Sequence, residues 1–399
     1  MFGYGYECLE MRSSISELIK LFLKLGAFSF GGPAAYIALM EEEVVSRRKW
    51  LTRESFLDLV GATNLIPGPN ATEMAIHIGY IRGGLSGLIA AGISFILPAV
   101  IITGIFAWAY MEFGTLPQAS NFLFGIKPVV ISIILMAVLK LGKTAAKSTL
   151  LTVIGASVAV ASLLGVNEIL ALLCGGVIGV ALYTLKGKAH KGITGWLIPL
   201  SILPIAFLAD SKTRAVAAVS ATAIAGVSLW KLGLFFLKIG SVLYGSGYVL
   251  VAFLEGGLVR DYGWLSHQQL LDAIAIGQLT PGPVLSAATF VGYVISGPLG
   301  ALVSTIAIFL PSFIFVLLLN PVIPKLRASK VMSVFLDAVN ISAVGLMASV
   351  VISLSGQVIT DWRGIAIAGV AAIAGMHFKL NNAWLIAGGA ALGWLLQQV

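Results

Sequence analysis

The stretch Asn64-Leu65-Ile66-Pro67-Gly68-Pro69-Asn70 interrupts an apolar run that extends from Phe56 to Tyr80. Two prolines around a glycine are among the worst residues for continuing a helix, because they remove an amide donor, clash with the preceding turn and raise backbone entropy. The fold depends on what surrounds this break. If the flanking chain is soluble, it is a surface turn. If the flanks lie in a membrane, non-helical backbone survives only where protein buries it or where it lines a watery cavity.

The flanks are membrane-like. The chain has 399 residues, 58% hydrophobic and 11% charged, whereas soluble domains carry about 25% charged residues. Leu85 to Tyr110 and Leu299 to Pro324 contain no charge, and Val331 to Leu354 contains only Asp337. Each exceeds the ~18 residues that read as a bilayer span. The reading is an all-α polytopic protein of the cell membrane; a transmembrane barrel would alternate polar and apolar residues over ten-residue segments. The N-terminus has no apolar h-region and so no cleavable signal is expected. Cys8 and Cys174 are far apart and form no metal or disulfide pattern. The net charge of +8 comes from short loops between apolar runs. That is an orientation signal, not a nucleic-acid surface.

The chain is duplicated. "LFLKLGAFSFGGPAAYI" at 21–37 matches "FFLKIGSVLYGSGYVLV" at 235–251 at a shift of 214 residues. The same shift pairs Trp50-Leu51 with Trp264-Leu265 and Pro67-Gly68-Pro69 with Pro281-Gly282-Pro283. After one deletion, Gly79-Tyr80 pairs with Gly292-Tyr293 and Pro98 with Pro311. The boundaries expected are 1–192 and 231–399 for two homologous domains, with a linker over 193–230 that holds one or two transmembrane segments.

Loop charges give the relative orientation. Arg47, Arg48, Lys49 and Arg53 in half one face a stretch of half two that holds only Arg260; Lys140, Lys143 and Lys147 face the neutral 353–360. The bias reverses at 111–118, which has no base where its counterpart has Lys325, Arg327 and Lys330. By the positive-inside rule the halves lie in opposite orientations, as an inverted-topology repeat. Each half has about six apolar runs. Arg47–Arg53, Arg82 and Lys140–Lys147 share one side only if the run 55–81 enters and leaves on that side. The break at 64–70 is then the tip of a re-entrant hairpin.

Broken helices supply chemistry. A helix N-terminus presents unpaired N–H groups and a partial positive charge, a ready-made anion site. Pro69 is expected at the first position of a new helix after Gly68, and Pro33 likewise after Gly31 and Gly32. Their twins are Gly245, Ser246 and Gly247, and Pro281, Gly282 and Pro283. Four breaks would converge near the pseudo-twofold axis, with Ser29, Asn64, Pro67, Asn70, Tyr244, Gln278 and Thr280 completing a polar shell. Lys24 and Lys238, equivalent residues before the first break of each half, would add charge, and a lysine in an apolar run either marks function or snorkels to the interface. Glu73 and His77 stand at i and i+4 on one helix face, as a proton-coupling pair would; an interfacial pair looks the same. No cofactor or metal site is expected, and no P-loop, HExxH or GxSxG motif is present.

The combination Ser29-Phe30-Gly31-Gly32-Pro33, Trp50-Leu51, Pro67-Gly68-Pro69, Gly79 and Pro98, repeated with Lys238, Gly240, Gly247, Tyr248, Gln278, Thr280, Pro281-Gly282-Pro283 and Pro311, resembles the chromate ion transporter family over essentially the whole chain. It resembles in particular the long-chain members with two fused domains. Asn64 stands where the family commonly has Gln, and Gly245-Ser246-Gly247 where three glycines are usual. The resemblance implies export of chromate, a tetrahedral dianion, with sulfate as its look-alike and chromate resistance as the outcome. The partners expected are therefore a small inorganic oxyanion and the lipid bilayer, with oligomeric state open and a homodimer one option. The rival readings are an anion channel or organic-anion transporter and, from another class, a membrane enzyme or lipid-handling protein built on Glu73 and His77.

Overall fold

The computed structural model describes residues 14–29, 33–114, 117–186, 227–244, 247–319, 326, 329–359 and 361–396. Gly31, Gly32, Gly245, Ser246 and nearly all of the linker lie outside the described residues. The elements repeat in order. In half one these are α1 (Ile15–Phe28), α2 (Pro33–Glu41), a π turn (Glu42–Arg47), α3 (Arg53–Thr63), α4 (Asn70–Phe113), α5 (Pro117–Ala145), α6 (Thr149–Leu163) and α7 (Glu168–Lys186). Half two follows with α8 (Leu229–Val242), a 3₁₀ turn (Gly247–Val249), α9 (Leu250–Leu254), a π turn (Glu255–Asp261), α10 (His267–Leu279), a 3₁₀ turn (Val284–Ser286), α11 (Ala287–Leu319), α12 (Lys330–Val358), α13 (Trp362–His377) and α14 (Asn382–Leu396). Every described residue in regular structure is helical.

Local chemistry repeats with the elements. Thr52 caps α3 by accepting from the Ser55 amide, and its twin Ser266 caps α10 by accepting from Gln269. Both π turns close with a Trp amide reaching back, Trp50 to Val44 O at 2.7 Å and Trp264 to Leu258 O at 2.8 Å.

The first two segments of each half are hairpins, not spans. α1 runs inward and the chain comes back through α2, so that Lys24 meets Glu43 at 2.9 Å and Glu17 meets Arg48 at 3.6 Å. These pairs are antiparallel, and the hairpin opens and closes at one end of the molecule. The apolar run 17–40 is thus a re-entrant hairpin with α1 and α2 as its limbs. α3 and the first limb of α4 form the second hairpin. Arg48, before it, and Arg82, at its end, lie over the Trp50 ring at 5.4 and 5.3 Å. The expectation that 55–81 enters and leaves on one side holds.

α4 folds back on itself at Gly84, whose φ of 61° and ψ of −147° are not helical. In a straight helix Gly79 and Gly87 would stand about 12 Å apart. Here each lies against the other's carbonyl, with no room for a Cβ on either. The limb 70–83 is about 21 Å long, too short to cross ~30 Å of hydrocarbon. Gly297 makes the same turn in α11, with φ 63° and ψ −155°, and Gly292 and Gly300 pack likewise. α11 also carries an internal Pro311, as α4 carries Pro98.

The long limbs of α4 and α11, with α5, α7 and α12, are apolar and long enough to cross a membrane; α6 and α14 are shorter apolar helices. α5 and its counterpart α12 lie antiparallel. Lys147, just beyond the end of α5, bonds Asp337 in the second turn of α12 at 2.7 Å. α12 packs on α6 and α7 of the other half, and α5 on α13 and α14. The halves exchange helices about a pseudo-twofold, the packing that inversion requires.

Candidate functional site

The four breaks meet. The Gly68 N–H donates to Leu243 O at 2.7 Å, and the Gly282 N–H donates to Ser29 O at 3.2 Å. Leu243 is the twin of Ser29 as Gly282 is of Gly68, so the two bonds are one contact repeated by the pseudo-symmetry. Tyr36 adds a hydroxyl bond to Gly282 O at 2.7 Å. Both glycines take positive φ, 146° at Gly68 and 94° at Gly282, a region favourable only without a Cβ. Pro67, Gly68 and Pro69, with Pro281, Gly282 and Pro283, are buried. The amides of Gly68 and Gly282, expected to face a ligand, are instead used to join the halves. The donors that remain are those of the helix starts. Pro69 is the N-cap and α4 begins at Asn70, one residue later than expected, since the extended Pro69 (φ −81°, ψ 103°) has not entered the helix. By helix geometry the Asn70 and Ala71 amides precede the first carbonyl they could reach.

Around the first tip, Asn70 donates to Asn64 Oδ1 at 2.6 Å, which orders the loop beside a cavity of about 520 Å³. Its polar lining is Asn64, Asn70, Thr144, Ser333 and Asn340 with the ion pair of Lys147 and Asp337, and it extends from the tip to that pair. Glu73 and His77 follow on the buried face of α4, 0% and 1% exposed. They do not bond each other. Both Glu73 carboxylate oxygens and His77 Nε2 lack a hydrogen-bond partner among the described residues. The Glu73 carboxyl and the Ser312 hydroxyl both crowd Gly68. Tyr244, next to Leu243, is within Coulombic reach of Glu73.

The second tip has a different lining. Thr103 donates to Ser286 Oγ at 3.2 Å and approaches Thr280 Oγ1 at 3.4 Å. Gln278 Oε1 accepts from Asn382 at 2.7 Å and from Tyr248 at 3.5 Å. Gly247 is buried in its 3₁₀ turn. Lys24 does not come to the tips: its side chain is 58% exposed and bonds Glu43 at the hairpin mouth. Lys238 is half-buried on α8, and Pro33 opens α2. Lys127 faces buried Asp272 at 3.9 Å, and Tyr110 donates to the same carboxylate at 2.9 Å. Sequence reasoning missed Ser312, Thr103 and Asp272. Ser312 had a signal, since it directly follows Pro311 in an uncharged limb.

Away from the spans, two carboxylates titrate in opposite directions. Burial pushes Glu43 up, but hydrogen bonds and charge from Lys24 and Arg48 outweigh it and hold Glu43 below the usual carboxylate range. Burial dominates at Glu255, which stays above that range despite Arg260 and His267.

No group of three or more His, Cys, Asp or Glu poised for a metal occurs among the described residues. The family model described as Chromate transporter matches residues 16–180 and again 230–394. A chromate transport protein of Cupriavidus metallidurans is 31% identical over 95% of this chain and 92% of its own length. One of Pseudomonas aeruginosa is 30% identical over 98% and 94%, and an uncharacterized transporter of Methanocaldococcus jannaschii is 28% identical over 89% and 88%. No solved structure matches.

Proposed function

The chain belongs to the chromate transporter family, and from that premise we propose that it exports chromate or a like tetrahedral oxyanion, sulfate included, from the cytoplasm. It is a multi-pass protein of the cell membrane, and its named relatives are transport proteins, not enzymes.

The observation that carries the reading is the cavity. Its mouth lies at the end of α5 and the start of α12, beside the Lys147–Asp337 pair, and Lys140, Lys143 and Lys330 at the ends of the same helices make that end cytoplasmic by the positive-inside rule. Its floor is Asn64 and Asn70 at the start of α4. An oxyanion entering from the cytoplasm meets lysine at the mouth, carboxamides on the way and a helix N-terminus at mid-depth. With four hairpin tips held together, rocking of the halves would open the same point to the other side. The interior-negative potential drives a dianion outward with about 4.6 kcal/mol per 100 mV, so export needs no nucleotide.

Chromate and sulfate flux from proteoliposomes tests this. The wild type moves the anions, while Asn70→Leu and Pro67→Ala reduce flux at least tenfold with the folded protein still recovered. If folded wild type neither binds nor moves either anion, the reading fails.

A further inference from the structure

We infer that Glu73 is the proton site of the carrier: it binds a proton together with the oxyanion, and only half one provides it. This rests on the transport reading above and adds its coupling.

The conflict that requires it is electrostatic. Glu73 is 0% exposed and one turn past the tip where the anion is placed. A carboxylate there would be a second negative charge beside a dianion, in a medium where such a charge is costly unless paired. Nothing pairs it. Neither of its oxygens has a hydrogen-bond partner among the described residues. The groups packed around it are neutral or engaged elsewhere. α11 presents the Ser312 hydroxyl and has Tyr293 as its titratable residue; the segment after α8 presents the Tyr244 phenol. On α1, Glu17 and Lys24 pair with Arg48 and Glu43 at the mouth, and Lys20 is exposed. On α2, Tyr36 bonds Gly282 O and Glu41 pairs with Arg53 of α3. Glu54 and Asp58 of α3 are exposed, and Asp272 of α10 is held by Tyr110 and Lys127; His267 of α10 faces Glu255. On its own helix, His77 makes no bond to it.

A protonated Glu73 removes the conflict and supplies an O–H where the anion needs a donor. Ser312 and Tyr244 then stand as further donors around the same point. Proton and anion each favour the binding of the other, since a coupling free energy is reciprocal. The second half has no equivalent. The twin of Glu73 is Ser286, which already accepts from Thr103, and the twin of Ser312 is Ala99. One proton travelling with a dianion leaves a net charge of −1, so the membrane potential still drives the pair outward.

The test is the ratio of protons to anions during efflux from proteoliposomes that hold a pH dye. Both sides are kept mildly alkaline so that chromate is the dianion, and sulfate is run alongside. The wild type is expected to move about one proton per anion, Glu73→Gln close to none on the flux it retains, and Glu73→Asp and His77→Gln the wild-type ratio. Anion flux without proton movement in the wild type overturns the inference while leaving transport intact. So does an unchanged ratio in Glu73→Gln, or loss of coupling in His77→Gln alone. Absence of all anion flux in folded wild type overturns the transport reading, and the coupling with it. Should Glu73→Gln fail to fold, the wild-type ratio and Glu73→Asp still decide.

Discussion

The two Pro-Gly-Pro tips have nearly the same backbone and different surroundings. Each has a glycine at positive φ whose amide reaches the carbonyl that ends the opposite half's first helix. Around the first stand a carboxyl, a hydroxyl and a cavity lined in part by polar side chains. Around the second stand Thr103, Ser286 and Thr280, bonded or packed among themselves, with Ala99 against Gly282. Duplication kept the part that holds the halves together and let the side-chain chemistry diverge. On the proposed reading the first tip takes the ligand and the second serves packing.

Substituting the paired glycines is the strongest way to break that comparison. Gly68→Ala places a methyl against Glu73 and Ser312 at a φ that L residues avoid, and should lower stability by about 3 kcal/mol and abolish flux. Gly282→Ala is strained at φ 94° as well and meets Ala99 Cβ at 2.9 Å and Gly26 O at 3.2 Å, but it displaces no carboxyl or hydroxyl. It should also lose stability, yet the protein that folds should retain measurable flux. Thermal unfolding in detergent and proteoliposome flux, measured on both variants, check the difference. Equal loss would mean that the tips are interchangeable.

The equivalent aspartates sharpen the same comparison at the hairpins' outer limbs. Asp272 is 1% exposed and holds Lys127 and Tyr110, whereas its twin Asp58 is exposed. Lys127→Met leaves a buried carboxylate without its cation and should cost about 3 kcal/mol, most of it regained in Lys127→Met/Asp272→Asn. Asp58→Asn should stay within about 0.5 kcal/mol. Denaturation midpoints of the wild type and these three variants decide it.

The smallest effect expected is in acid. Glu43 titrates below its unfolded value, so its contribution is present above the ordinary carboxylate range and is lost as pH falls through the lowered folded value. Glu255 titrates above its unfolded value, so its contribution is greatest below that range and is lost as pH rises through the raised folded value. At neutral pH, Glu43→Gln should therefore destabilise and Glu255→Gln should not. A thermal-shift series into the acid range should show the gap closing.

Much of the architecture was legible because it depends on local residues and loop charge. Pro67-Gly68-Pro69 forces a break wherever it lies, and Arg48 and Arg82 on one side require a hairpin between them. The first hairpin was harder to read. Residues 17–40 form an apolar run of spanning length, and only the pairing of Lys24 with Glu43 and Glu17 with Arg48 shows that it turns back. The site was less legible still. Its decisive contacts join residues of opposite halves: Gly68 with Leu243, Gly282 with Ser29, and Glu73 with Ser312 across Gly68. Such partners are set by how helices pack after insertion, which periodicity and propensity do not encode. Lys24 illustrates the limit, since an apolar neighbourhood marked it as unusual but did not reveal that Glu43 takes its charge.

The crossed amide bonds also bear on how the protein is made. When half one leaves the ribosome, the Gly68 amide and the Ser29 carbonyl already lie on hairpins inside the membrane, yet their partners are still untranslated. An unsatisfied backbone group in hydrocarbon costs several kcal/mol. The early hairpins thus have little reason to settle at full depth until the inverted second half arrives beneath them. Integration becomes cooperative over the whole chain, and a nascent half-protein should remain loosely inserted and open to quality-control proteases.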